Sequence, residues 1–195
     1  MEPTLLATVQ ILVQLCMSAI NSTVKTLLVH SNSKSAEGYG FFQLVGCNVT
    51  MSGNSLFINN LGSLHTVDTL VSFEDYAKFR SNSVRSNKTG SNIQEGSAIT
   101  LSLSDAFFNE TCNFKENYVT NGGAIHSSES KLYVTGDVKV QHNTASQNEG
   151  GIYLYQSGLN TDKIHPLNIS YNTAKHRGGG PMLLVPPLSS LLRCQ

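Results

Sequence analysis

Apolar residues in this chain recur at every second position, in runs too short to fold alone. Leu132 and Val134, then Val138 and Val140, alternate with Tyr133, Lys139 and Gln141. Such a period of two is the mark of a strand with one buried face. The same phrase stands earlier in the chain: Val49 to Asn60 and Leu132 to Asn143 each read strand, Gly-Asn or Gly-Asp turn, strand, Asn, with Gly53 and Gly136 83 residues apart. Glycine pairs punctuate the second half at Gly122-Gly123, Gly150-Gly151 and Gly178-Gly179, in two steps of 28. A fixed period in the range of about 20 to 50 residues is the signature of a repeat architecture.

A second phrase runs in phase with the glycines. Five turns place Asn three residues after a large apolar residue: Phe57 to Asn60, Phe79 to Asn82, Phe114 to Asn117, Val140 to Asn143 and Ile169 to Asn172. Strands this short cannot bury an inner face within their own unit. Stacking the next unit on top, about 4.8 Å away, buries that face and pairs the backbone together. The expectation is an all-β, right-handed parallel β-helix of about five to six coils with a period of about 28 residues. Each Phe should point inward onto its equivalents. Each Asn should close a turn, adopting left-handed angles itself and passing hydrogen bonds up a ladder. The glycine pairs should allow positive φ and close backbone approach.

The rest of the composition agrees with a surface built of turns. Only 13% of residues are charged, about half the usual share, and 13 basic residues balance 13 acidic ones. A zero net charge removes the case for nucleic acid or an anionic membrane surface. Residues 1–22 read as a secretory signal or as an amphipathic helix capping the stack, since Leu5, Val9, Leu12, Cys16 and Ile20 share one helical face. Residues 23–180 read as the β-helix, with a bulging loop over 83–95. Residues 181–195 read as an irregular cap or truncated end, because Pro cannot donate to a ladder. An uncapped coil there would favour self-association by edge pairing. No apolar run reaches the length of about 18 residues needed to span a membrane.

These phrases resemble the repeats of polymorphic outer-membrane-protein-like cell-surface passengers. That family is marked by Gly-Gly-Ala-Ile and Phe-x-x-Asn tetrapeptides, here Gly122-Gly123-Ala124-Ile125 and the three phenylalanine turns. The likeness covers roughly residues 47–180. Gly96-Ser97-Ala98-Ile99 lacks one glycine and Gly150-Gly151-Ile152-Tyr153 lacks the alanine. The resemblance implies a right-handed β-helix exposed at a cell surface and used in adhesion or recognition.

No catalytic, cofactor or metal set emerges. Asn160-Thr161-Asp162 matches one phrase of polygalacturonase-like enzymes, but the paired carboxylates that such hydrolysis needs are missing. Scattered acids offer no calcium cluster of the pectate-lyase kind. The four cysteines (16, 47, 112, 194) lack zinc spacing, and Cys47 and Cys112 differ in phase. The six histidines share no repeat phase and read as surface residues. Sequons at Asn21, Asn48, Asn87, Asn109 and Asn168 permit N-glycosylation in a secretory compartment. The functional expectation is an extracellular or cell-surface structural or adhesive module, non-enzymatic, that binds protein or glycan through outward residues. A degenerate carbohydrate-active enzyme and a fragment without independent function are the alternatives.

Overall fold

A computed structural model of the chain describes residues 13–15, 21–30, 42–83, 98–121, 123–162, 164–165, 167–176, 178–179 and 182–184. The described residues form strands and turns without a helix. Strands β1 (Val13–Leu15) and β2 (Asn21–His30) come first, then β3 (Phe42–Val45) and β4 (Asn48–Ile58). The next unit holds β5 (Leu64–Val67), β6 (Leu70–Phe73) and β7 (Ala77–Arg80). After it come β8 (Ile99–Ser102), β9 (Asp105–Phe108), β10 (Cys112–Lys115) and β11 (Tyr118–Asn121). The pattern returns in β12 (Ile125–Ser128), β13 (Lys131–Val134), β14 (Val138–Gln141) and β15 (Thr144–Asn148). It returns again in β16 (Ile152–Tyr155), β17 (Gly158–Thr161), β18 (Leu167–Ser170) and β19 (Thr173–Ala174), and β20 (Met182–Leu184) follows.

These strands sort into three sheets, and all their mutual pairings are parallel. The first sheet runs β1-β3-β5-β8-β12-β16-β20. The second is bent: the first half of β4 pairs with β6 and its second half with β7, so one line runs β6-β9-β13-β17 and the other β7-β10-β14-β18. The third sheet is β11-β15-β19, continued by single bridges from Tyr118 to Ser83 and from Ser83 to Leu61. From Phe42 onward the chain therefore visits the same faces in the same order, one layer higher each time.

The steps between paired residues are unequal. In the first sheet they are 22 from Phe42 to Leu64, 35 to Ile99, 26 to Ile125, 27 to Ile152, and 29 from Tyr153 to Met182. The period is thus about 28 only on average, loose in the first half and tighter after it: strand register is held by burial, while turns take up added or lost residues. The longest step spans the loop expected over 83–95, and residues 84–97 lie outside the described ones. Gly53 and Gly136 do share a corner, each two residues before a member of one register column, Ser55 and Val138, linked through Ala77 and Cys112. At the first of them β4 runs through without a break, with Gly53 at φ 70°. Strands also occur at 13–15, within the segment read as a secretory signal or capping helix, and at 182–184, within the segment read as an irregular cap or truncated end. Both pair in the first sheet, with β3 and β16 respectively.

Alternation puts one aromatic column at the centre of the core. Phe57, Phe79 and Phe114 stack with ring centroids 4.7 Å apart, and Val29, Val140 and Ile169 extend the column by register. Phe73 and Phe108 stack beside it at 5.5 Å and meet it edge-on. Burying each ring contributes about 1.5 to 3 kcal/mol, and each aromatic pair about 0.5 to 1.5 kcal/mol more.

Two corners are held by side-chain ladders. In the first, Asn60, Asn82, Asn117, Asn143 and Asn172 lie one above another. The backbone N–H and Nδ2 of each of the first four donate to Oδ1 of the next, at 2.9–3.1 Å. Each Nδ2 also donates to the carbonyl of the aromatic column in the layer on the other side, from Val29 through Phe57, Phe79 and Phe114 to Val140. The left-handed residue is not the Asn but the one before it: Asn59, Ser81, Glu116, His142 and Tyr171 have φ between 54° and 59°. That residue makes the bend, and the Asn satisfies the backbone that the bend leaves exposed.

The second ladder was invisible in the sequence. Cys47, Thr69, Ser104, Ser130 and Ser157 follow Gly46, Asp68, Leu103, Glu129 and Gln156, all at φ of 49–60°. Thr69 N–H donates to Ser104 Oγ, Ser104 N–H to Ser130 Oγ, and Ser130 N–H to Ser157 Oγ, at 2.9–3.2 Å. The glycine corner works by close approach instead. Gly123 sits at φ 63°, and a Cβ there would collide with the Gly151 carbonyl oxygen, which accepts from Ala124 N–H at 2.6 Å. In this region paired residues are 27 apart, one fewer than the glycine pairs suggest.

Removing one rung of the Asn ladder should be costly. Asn117→Ala strands the buried Asn82 N–H, removes one of the two acceptors of its Nδ2 and deprives the Phe79 carbonyl of a donor. We expect a loss of about 3 kcal/mol or more, read as a lowered urea midpoint. Asn113→Ala, on an outward position, should cost under about 0.5 kcal/mol.

Candidate functional site

Among the described residues the inward positions are occupied by packing, which leaves the outward faces for recognition. Along the first sheet the outward positions of β5, β8, β12 and β16 carry His65, Thr100, His126 and Tyr153 in one register column. The first line of the second sheet presents Phe107 stacked on Tyr133 at 4.5 Å, between Ser72 and Asn160. Its second line presents Lys78, Asn113, Lys139 and Asn168 in one column and Arg80, Lys115, Gln141 and Ser170 in the next.

The histidine column corrects the expectation of surface histidines without a shared phase. His65 and His126 stand two layers apart in one column, and the unequal steps of 35 and 26 hid this. His126 is 3% exposed, stacks on Tyr153 at 4.8 Å, and neither ring nitrogen meets a hydrogen-bond partner among the described residues. Burial, with a smaller contribution from His65, pushes its imidazole down to about 4 from the ordinary 6.5. Burial also lowers His65. His30, His142, His165 and His176 are exposed.

Several acidic residues have structural partners. Asp162 Oδ1 accepts from the backbone N–H of Ile164 and His165 at 3.1 and 2.7 Å, and Oδ2 meets His165 Nδ1 at 2.9 Å. These bonds, the His165 side chain first, hold Asp162 below the usual carboxylate range. Glu74 accepts from Ser72 and Asn109, and Asp75 accepts from Gly53 N–H at 2.7 Å. Among the described residues no three His, Cys, Asp or Glu side chains gather into a cation site. Cys47 and Cys112 are buried free thiols in different columns, and burial pushes the Cys112 thiol up to about 12. Cys16 and Cys194 lie outside the described residues.

The sequons fall on different faces. Asn21 begins β2 and pairs in register with Asn48, whose side chain is exposed. Asn168 is exposed on β18 and accepts from its own sequon hydroxyl, Ser170, at 2.9 Å. Asn109 is half-buried, with Nδ2 donating to Glu74 and Oδ1 accepting from Thr135. Asn87 lies outside the described residues. So does Gly122, whereas Gly150, Gly151, Gly178 and Gly179 flank the turn into the first sheet.

Comparison of the chain with protein-family models, curated proteins and solved structures finds no match. No helix among the described residues is long and apolar enough to cross a membrane.

The buried imidazole makes a pH prediction. Between pH 6.5 and about 4 the unfolded chain binds a proton at His126 that the folded chain does not. Stability therefore falls as pH falls through this window, by about 3 kcal/mol at its lower end. His126→Phe, which keeps a ring against Tyr153, should flatten that limb in urea unfolding followed against pH. An unchanged acid limb would show that His126 is solvated when folded.

Proposed function

We propose that this protein is an extracellular or cell-surface right-handed parallel β-helix of about five to six coils, acting as a structural or adhesive module. It engages a protein or glycan partner through outward side chains and performs no catalysis. The observation that carries this reading is the division of labour between faces. The repeating residues, Phe57 to Ile169 and Asn60 to Asn172, are consumed in packing and backbone satisfaction. The outward columns of β7, β10, β14 and β18 are polar, regularly spaced and free of carboxylates. A flat, repetitive, polar face suits binding along an extended partner better than enclosure of a small substrate. Edge strands β17 and β18 stand at the ends of the second sheet's order, and they are the parts through which copies would associate.

Secretion is tested by expressing the full chain in eukaryotic cells and measuring mass before and after N-glycanase. The expected outcome is surface or medium localisation with glycans at the exposed Asn48 and Asn168, and lower occupancy at the half-buried Asn109. A cytosolic, unmodified product would count against the reading. Release of reducing sugar from uronic-acid or neutral polysaccharides would replace it with the enzymatic one.

A further inference from the structure

Charge is unevenly spread over the outward faces. On the second line of the second sheet, β7, β10 and β14 carry Lys78, Arg80, Lys115 and Lys139 at outward positions, and none of these strands carries a carboxylate. The outward residues of the first sheet's strands β5, β8, β12 and β16 include no Lys, Arg, Asp or Glu. Acids line the borders of the basic strip: Asp75, Glu110 and Asp137 stand before β7, β10 and β14, and Glu116 follows β10. Glu116 takes Arg80 Nε at 2.9 Å and Lys115 Nζ at 3.4 Å, and Asp137 takes Lys139 Nζ at 2.7 Å. All five side chains are 38–47% exposed. Exposed ion pairs of this kind hold their partners weakly and exchange readily for another anion.

We infer that this strip is a binding face for a linear acidic polysaccharide lying across the strands. This inference deepens the adhesive reading and rests on it. Parallel register sets the cations on successive layers about 4.8 Å apart, close to the length of one sugar ring along a chain. Lys78 and Lys139 share one column with Asn113 between them, and Arg80 and Lys115 are neighbours in the next. Cations meet the sulfates or carboxylates, and Asn113 offers an amide to ring hydroxyls. The strip from β7 to β14 has no outward aromatic side chain, so it lacks the stacking platform that single-stranded nucleic acid uses. It also lacks the central apolar anchor of a protein-protein hot spot. Asn168 stands at the end of the Lys78 column, so a glycan attached there would border the strip.

The test is binding of the full chain to immobilised heparin, polygalacturonate and neutral dextran, at low and at physiological salt. Binding to either acidic polymer, weakened by salt, and none to dextran is expected. Preference for heparin assigns sulfate as the anion, and preference for polygalacturonate assigns carboxylate. Lys78→Glu combined with Lys139→Glu should weaken binding about tenfold or more. Lys131→Glu with Lys175→Glu, away from the strip, should change it by less than about twofold. Glu116→Gln frees two cations without touching the core and should tighten binding about two- to threefold. Equal binding to dextran, no binding to either acidic polymer, tighter binding to single-stranded DNA, or indifference to both the Lys78/Lys139 and Glu116 variants would overturn the inference. Surface display with cell adhesion but no acidic-polymer binding would sink this inference alone. A cytosolic product that still binds heparin would instead sink the adhesive reading.

Discussion

At its two ladder corners this stack turns backbone N–H groups away from the strands, and the adjacent layer supplies the acceptor that satisfies them. At one corner the acceptor is Oδ1 of Asn82, Asn117, Asn143 or Asn172 from the adjoining layer. At another it is the hydroxyl of Ser104, Ser130 or Ser157. An unpaired buried N–H costs about 1 to 3 kcal/mol, so no layer is satisfied without its neighbour. Stability is therefore a sum of interfaces between adjacent units, as in other repeat proteins. The same constraint explains why a left-handed residue stands before every ladder residue: Glu116 and His142 bend the chain, and Asn117 and Asn143 repair the bend.

Once corners and inner columns are committed to stacking, chemistry is left to the outward positions, and these differ from face to face. One face is nearly uncharged and holds the buried His126 against Tyr153. Another holds the Phe107–Tyr133 pair. A third gathers Lys78, Arg80, Lys115 and Lys139. A chain with zero net charge thus carries a local basic strip, because register brings together residues that are far apart in sequence. The overall balance of 13 against 13 describes the molecule and not its faces. Net charge speaks to bulk electrostatics, whereas local recognition depends on the potential at each surface.

The legibility of the sequence followed residue chemistry. The five Asn residues could be read because an amide that both donates and accepts is the same residue type in every unit. The Ser, Thr and Cys ladder could not, because single hydroxyls are abundant in the chain and Cys47 breaks the type. The His65–His126 column escaped because turns absorb 35 residues in one step and 26 in the next, so counting by 28 lost the phase.

Period-two alternation and recurrent Asn determined by themselves that the chain forms short strands with one buried face, since no other regular structure buries every second residue. They also determined that single units cannot stand alone. Register between layers was decided only in the tertiary structure, because it depends on how many residues each turn absorbs. That register joins Gly123 to the Gly151 carbonyl, hides His126 and aligns the basic strip. The scaffold was therefore written locally, and the surface that it presents was set by stacking.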